Sequence, residues 1–183
     1  VDGLWSYGVP GVRFRVDGVF VGRHLSLVGL ESSAQIVVGP TGAALVENSL
    51  LAHVFGRTPS VRNEGTVVLR HAALLSWSAL GVTTPAVDNS GVAHVEASVL
   101  QTCTGVVPVS LGANSDEDGS CGLAAPGDQP VAPPAFSVVL GGPVTYDLAA
   151  TSPLVDAIPV GTHGCGIDVV DDMSGWSRPT DGN

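Results

Sequence analysis

The chain contains no lysine: all seven cations are arginines (Arg13, Arg15, Arg23, Arg57, Arg62, Arg70, Arg178), set against 17 acidic residues for a net charge of −10. A nucleic-acid binder needs a basic footprint, and none is present. The same deficit argues against docking on an anionic membrane surface. Long apolar runs are missing too. The best stretch, Gln129 to Tyr146, carries four prolines and two glycines, so membrane insertion is excluded. Charge is scarce (13%) while apolar residues make up 44%, which excludes a disordered chain. Aromatics are few (5%), whereas glycine (24) and proline (13) are plentiful, the composition of a turn-rich β protein. The length of 183 residues suits one domain with a real core. A start at Val1, without Met or a signal peptide, suggests a mature or excised piece.

What is present is a repeat. Four segments align on a glycine: Gly18-VFVGRHLSLVG, Gly42-AALVENSLLAH, Gly65-TVVLRHAALLS and Gly91-VAHVEASVLQT, with spacings of 24, 23 and 26 residues. Four residues before the glycine stand Phe14, Val38, Val61 and Val87. Two after it stand Phe20, Ala44, Val67 and Ala93; four after it, Gly22, Val46, Leu69 and Val95. The ninth position is Leu27, Leu51, Leu74 and Leu100, leucine in every copy. Alternation at the first offsets marks a strand with one buried face, and the ninth position marks a second short strand beyond a bend. The residues just before each glycine are mostly turn formers. No segment shows a capped helical pattern.

A unit of this length cannot bury its own inner face, so the copies must stack, each strand pairing in parallel with its equivalent in the next copy. The expected fold is an all-β, right-handed parallel β-helix of about four coils with an irregular C-terminal cap. A sandwich or jelly roll would instead show hairpin signals. The coils span 1–105. From about Val106 the repeat is lost, and 106–183 is expected to form a loop and cap packed on the last coil, within a single domain.

The tail carries a resemblance. Ser110-LGANSDEDGSCG, Ala149-ATSPLVDA and Asp171-DMSGWSRP resemble the C-terminal region of bacterial secreted right-handed parallel β-helix repeat proteins of the pectate-lyase-like superfamily, and Asn89-SGVAHVEAS resembles their repeats. The likeness departs at Asp172-Met-Ser-Gly, where that group has an Asp-Gln-Arg-Gly turn. It implies an extracellular or cell-surface bacterial location and a disulfide between Cys103 and Cys121, which would stabilise by roughly 3 kcal/mol in an oxidising compartment. It also implies a partner for Cys165 beyond Asn183; a reactive thiol or an intermolecular bridge is the other reading of that odd cysteine.

Five constellations could carry chemistry. Offset five gives Arg23, Glu47, Arg70 and Glu96, an alternating charge ladder on the outer face. Pairing between coils is the simpler reading. The sharper one is glycan cleavage, since Glu47 and Glu96, two coils apart, would stand about 9.6 Å from one another at the strand spacing, near the upper end of an inverting glycosidase pair. Arg70 between them, however, would hold both ionised. Offset six gives His24, Asn48, His71 and Ala97, a polar ladder at a bend whose histidines are too far apart for one ion. His94 and His53 lie on other parts of the coil, and no transition-metal spacing appears. Asp116, Glu117 and Asp118 before Gly119 offer oxygens that suit Ca²⁺, or simply a solvated loop with a capping Asp; Asp168, Asp171 and Asp172 form a second such cluster. Finally, Trp5, Tyr7, Trp77 and Trp176 could stack on sugars or anchor loops. Trp77 occupies offset twelve, the position of Cys103 one coil later.

The expected function is a non-enzymatic extracellular module, structural, adhesive or assembly-forming, that associates with itself, with other protein modules through its open ends, or with glycans. The alternative is a polysaccharide lyase or glycoside hydrolase with Glu47, Arg70 and Glu96 as its candidate catalytic groups. That alternative rests on fold analogy alone. No cofactor beyond a Ca²⁺ ion is expected.

Overall fold

The computed structural model describes residues 1–7, 14–29, 33–54, 58–77, 84–130, 136–139, 145–149, 151–154, 157–172 and 177; for 5–7, 54, 77, 136–139 and 145–148 it describes the backbone alone. Trp176 and most of the Asp171-DMSGWSRP motif therefore lie outside the described residues, as do the side chains of Trp5, Tyr7 and Trp77.

The chain winds through short strands. After β1 (Trp5–Tyr7), successive coils are β2 (Phe14–Val16), β3 (Val19–Arg23), β4 (Ser26–Gly29); β5 (Ile36–Val38), β6 (Ala43–Glu47), β7 (Leu50–Val54); β8 (Val61–Asn63), β9 (Thr66–Arg70), β10 (Ala73–Trp77); and β11 (Val87–Asn89), β12 (Val92–Glu96), β13 (Val99–Leu100). A shorter coil follows in β14 (Cys103–Gly105), β15 (Val109–Ser110) and β16 (Ser115–Asp116), then β17 (Gln129–Pro130) and a separate antiparallel hairpin, β18 (Phe136–Val139) with β19 (Thr145–Leu148). Equivalent strands pair in parallel into three sheets, β2-β5-β8-β11-β14, β3-β6-β9-β12-β15 and β1-β4-β7-β10-β13-β16-β17. This is a parallel β-helix with three faces, here the first, second and third in that order. The described residues contain no helix, and so none long and apolar enough to cross a membrane.

The leucines at the ninth position form one internal column, Leu27 on Leu51 on Leu74 on Leu100, each at most 1% exposed. Beside it run Phe20–Ala44–Val67–Ala93 and Gly22–Val46–Leu69–Val95. These columns interdigitate by size. In the first coil Phe20 fills the space that Val46 and Leu69 take above, so Gly22 has no room for a side chain: a Cβ there would stand 2.6 Å from Leu25 Cδ1 and 2.8 Å from Phe20 Cε1.

Four expectations need correction. The second copy's first column is held by Ile36, not Val38: Phe14 pairs with Ile36, and Ile36 with Val61. Three residues (Gly39, Pro40, Thr41) separate Val38 from Gly42, where Val16 and Gly18 are separated by one. That slip of two keeps the same face inward. Two of the residues read as turn formers belong to the first sheet, while Asp17, Pro40, Thr41, Glu64 and Ser90 do lie in turns or bends. Asn63 and Asn89 end β8 and β11, buried, with Asn63 Nδ2 donating to Asn89 Oδ1 at 2.7 Å. Cys103 pairs with Val87, and Trp77 with Val54, so the two do not share a column. Parallel strands also continue past residue 105, as far as Gln129–Pro130.

Candidate functional site

The charged ladder lies where the second sheet turns into the third. Each coil turns there through a residue in the left-handed region: His24 (φ 51°), Asn48 (50°), His71 (49°) and Ala97 (49°). None is glycine. A serine steadies the turn in alternate coils. Ser49 Oγ donates to Glu47 O at 2.7 Å and accepts from Leu25 N at 3.1 Å; Ser98 Oγ does the same between Glu96 O and Ala72 N, at 2.8 and 3.1 Å. The turn throws the side chains at offsets five and six outward into two adjacent rows.

In the first row, Arg23, Glu47, Arg70 and Glu96 are direct cross-strand neighbours, as their offset requires. Glu47 is buried and fully engaged. Arg23 Nε donates to its Oε1 at 2.8 Å, and Arg70 donates to its Oε2 through Nε at 2.6 Å and through Nη2. Burial alone would raise the Glu47 pKa, but the hydrogen bonds and charges of the two arginines hold it below the ordinary carboxylate value. The ladder does not continue to Glu96 as an ion pair. Glu96 Oε1 instead meets His163 Nδ1 at 3.2 Å, and Arg70 Nη1 extends to Asp168 Oδ2 at 3.8 Å.

His163 and Asp168 belong to a segment that sequence reasoning assigned to an end cap. It runs along this corner, back toward the first coil. His71 Nε2 lies 2.9 Å from His163 O, Asn48 Nδ2 donates to Asp171 O at 2.9 Å, and His24 Nε2 lies 3.2 Å from Asp171 Oδ1. Residues 163–171 thus form a strap across successive coils, held by the two rows, rather than a lid on the last coil alone. Its start is tightly folded: the amides of Ile167, Asp168 and Val169 all donate to Gly164 O. Cys165 is a buried free thiol within it. The strap's contact residues were visible in the sequence only as a weak acidic cluster, because nothing local says which surface a loop will cross.

The remaining candidates separate. Asp116 is wholly buried and spent on its own turn, Oδ1 accepting from Asp118 N at 3.3 Å and Oδ2 from Cys121 N at 2.7 Å. Burial pushes its pKa up against those backbone bonds. Asp118 Oδ1 accepts from Ser120 N at 3.0 Å, and Glu117 lies half-buried. Among the described residues no three His, Cys, Asp or Glu side chains are grouped to hold a metal ion. Cys103 and Cys121 are joined in a disulfide. The SLGAN run acts through Ser110, Asn114 and Asp128. Asp128 accepts from Ser110 Oγ at 2.6 Å and Asn114 N at 2.9 Å, and Asn114 Oδ1 accepts from Ser98 N at 2.9 Å, locking the short coil to the one below. That network was missed because Asp128 lies in a loop with no repeat phase.

The fold defines the class of protein, a parallel β-solenoid with a tail strapped along one corner. Compared with models of known protein families, with curated proteins and with solved structures, the chain matches none.

Proposed function

We propose that the chain is a non-enzymatic extracellular module, a structural or adhesive component that assembles through its faces and ends, of the kind found in the bacterial secreted β-helix proteins its tail resembles. One observation carries this reading: the outer side of the second sheet presents a regular, mostly apolar surface. Val19 (87% exposed) and Val92 stand at the two ends of one outward column with Ala43 and Thr66 between them, and on the next column half-buried Val21, Leu45 and Val68 lead to His94 and exposed Val109. Exposed apolar patches on a soluble domain mark interaction surfaces, and regular parallel strands supply a ruler for repeated contacts. The disulfide supports an oxidising location. The enzymatic alternative lacks a proton donor in this ladder, because Glu47 is held ionised by two arginines and Glu96 is engaged by His163.

The test is sedimentation of the chain over a wide concentration range, with and without Val92→Lys combined with Val109→Lys. Association that the double variant abolishes, with its circular dichroism unchanged, supports the reading. A monomer at every concentration that also binds no polysaccharide would overturn it. Depolymerisation of an acidic polysaccharide that Glu47→Gln or Glu96→Gln abolishes would replace it with the enzyme.

A further inference from the structure

His24 sits between two carboxylates. Its Nδ1 lies 2.7 Å from Asp2 Oδ1 and its Nε2 lies 3.2 Å from Asp171 Oδ1. A carboxylate accepts hydrogen bonds and a neutral imidazole has a single N–H, so both contacts hold together only when His24 is an imidazolium. We propose that His24 is a pH-governed latch, which in its charged form ties the Asp171 carboxylate of the strap to the first coil and on losing its proton releases that carboxylate.

The other strap contacts make no such demand. His71 needs one N–H to reach His163 O, His163 needs one to reach Glu96, Asn48 donates from its amide to Asp171 O, and the Arg70 guanidinium reaches Asp168. The charged groups facing His24 are Asp2 on the N-terminal segment and Asp171 on the strap; the Val1 amino group and Arg23, the latter already committed to Glu47, act on Asp2 in turn. Partial burial works against the charge on His24, but the bonds and charges of the two carboxylates outweigh it, and its pKa is raised. The sign follows. The attachment is complete below the ordinary histidine value of about 6.5 and is lost as pH rises through the higher value His24 has here. The neutral ring keeps one N–H, which stays with the shorter Asp2 contact, so the Asp171 carboxylate is released and the strap loosens at that end, while the contacts from Asn48, Arg70 and His71 persist.

Amide hydrogen exchange of the full chain between pH 5.5 and 9, corrected for intrinsic rates, tests this. Protection near 169–172 should fall by about tenfold as pH rises, the effect of one charge-assisted hydrogen bond. His24→Gln should show the low protection at every pH, and His163→Asn should keep the step. A wild-type chain without the step, or a step that survives in His24→Gln, overturns the latch. If His24→Gln does not fold, a magnetic-resonance titration of His24 in the wild type decides: a midpoint above 6.5 supports the latch, and one at or below it overturns it.

Discussion

Two corners of the same coil turn by opposite means. Where the first sheet meets the second, the repeat carries glycine, although Gly42, Gly65 and Gly91 have backbone angles open to any residue. Space is what they lack: a Cβ on Gly91 would press into the carbonyl of Gly65, and one on Gly65 into the carbonyls of Gly39 and Gly42. Where the second sheet meets the third, the backbone is left-handed, the region that favours glycine, yet His24, Asn48, His71 and Ala97 occupy it. At its glycine positions the first corner is packed by main chain. The second accepts strained residues and so keeps two rows of side chains free to hold Glu47 and the strap.

The largest effect should come from adding a methyl at the tight corner. Gly91→Ala forces backbone against backbone, for a loss of roughly 3 kcal/mol. Gly18→Ala, in the first coil with nothing within 4 Å of its missing Cβ, should be close to neutral. Denaturant unfolding of the two variants checks this, and equal losses would break the contrast between corners. Next comes Cys103→Ser, which opens a link across 18 residues and should cost about 2–3 kcal/mol in the same assay.

Glu47→Gln attacks the other corner and leaves the arginine pair facing a neutral group. Both arginines reach solvent, so the loss should be about 1–2 kcal/mol. Because the folded pKa of Glu47 is lowered, its contribution is present above the ordinary glutamate value and disappears as pH falls through the lowered one. The variant should flatten the acid limb of the stability profile. Asp116, with a raised pKa, works the other way, contributing at low pH and losing that contribution as pH rises through its folded value. The smallest effect should be a gain: Ala97→Gly relieves a left-handed alanine and should stabilise by about 0.5 kcal/mol. If it destabilises instead, the corner is held by the Ala97 methyl and not by its backbone.

Much of the fold was legible because stacking enforces a phase. A leucine every coil, at one offset from a glycine, has no use unless copies lie on one another, and Leu27, Leu51, Leu74 and Leu100 do. The misreading of Val38 shows the limit. With a side-chain period of two, a slip of two residues leaves the apolar pattern intact, so only the partner strand reveals that Ile36 is the true neighbour of Phe14. The short coil after Cys103 escaped because its place in the leucine column is taken by Asp116, directly over Leu100. A buried carboxylate satisfied by two backbone amides leaves no apolar signature.

At the ladder, the sequence placed Arg23, Glu47, Arg70 and Glu96 in one row and named the acidic residues of the tail, without joining them. By itself it determined the repeat, the inward columns and the charge order along the corner, since these follow from periodicity within each copy. Only the tertiary structure decided that Glu47 is shared by two arginines, that Glu96 turns to His163, and that His24 is caught between Asp2 and Asp171. Those contacts join residues up to 147 positions apart. Which surface a returning tail crosses depends on the sum of many weak contacts in three dimensions, and no local pattern of residues encodes it.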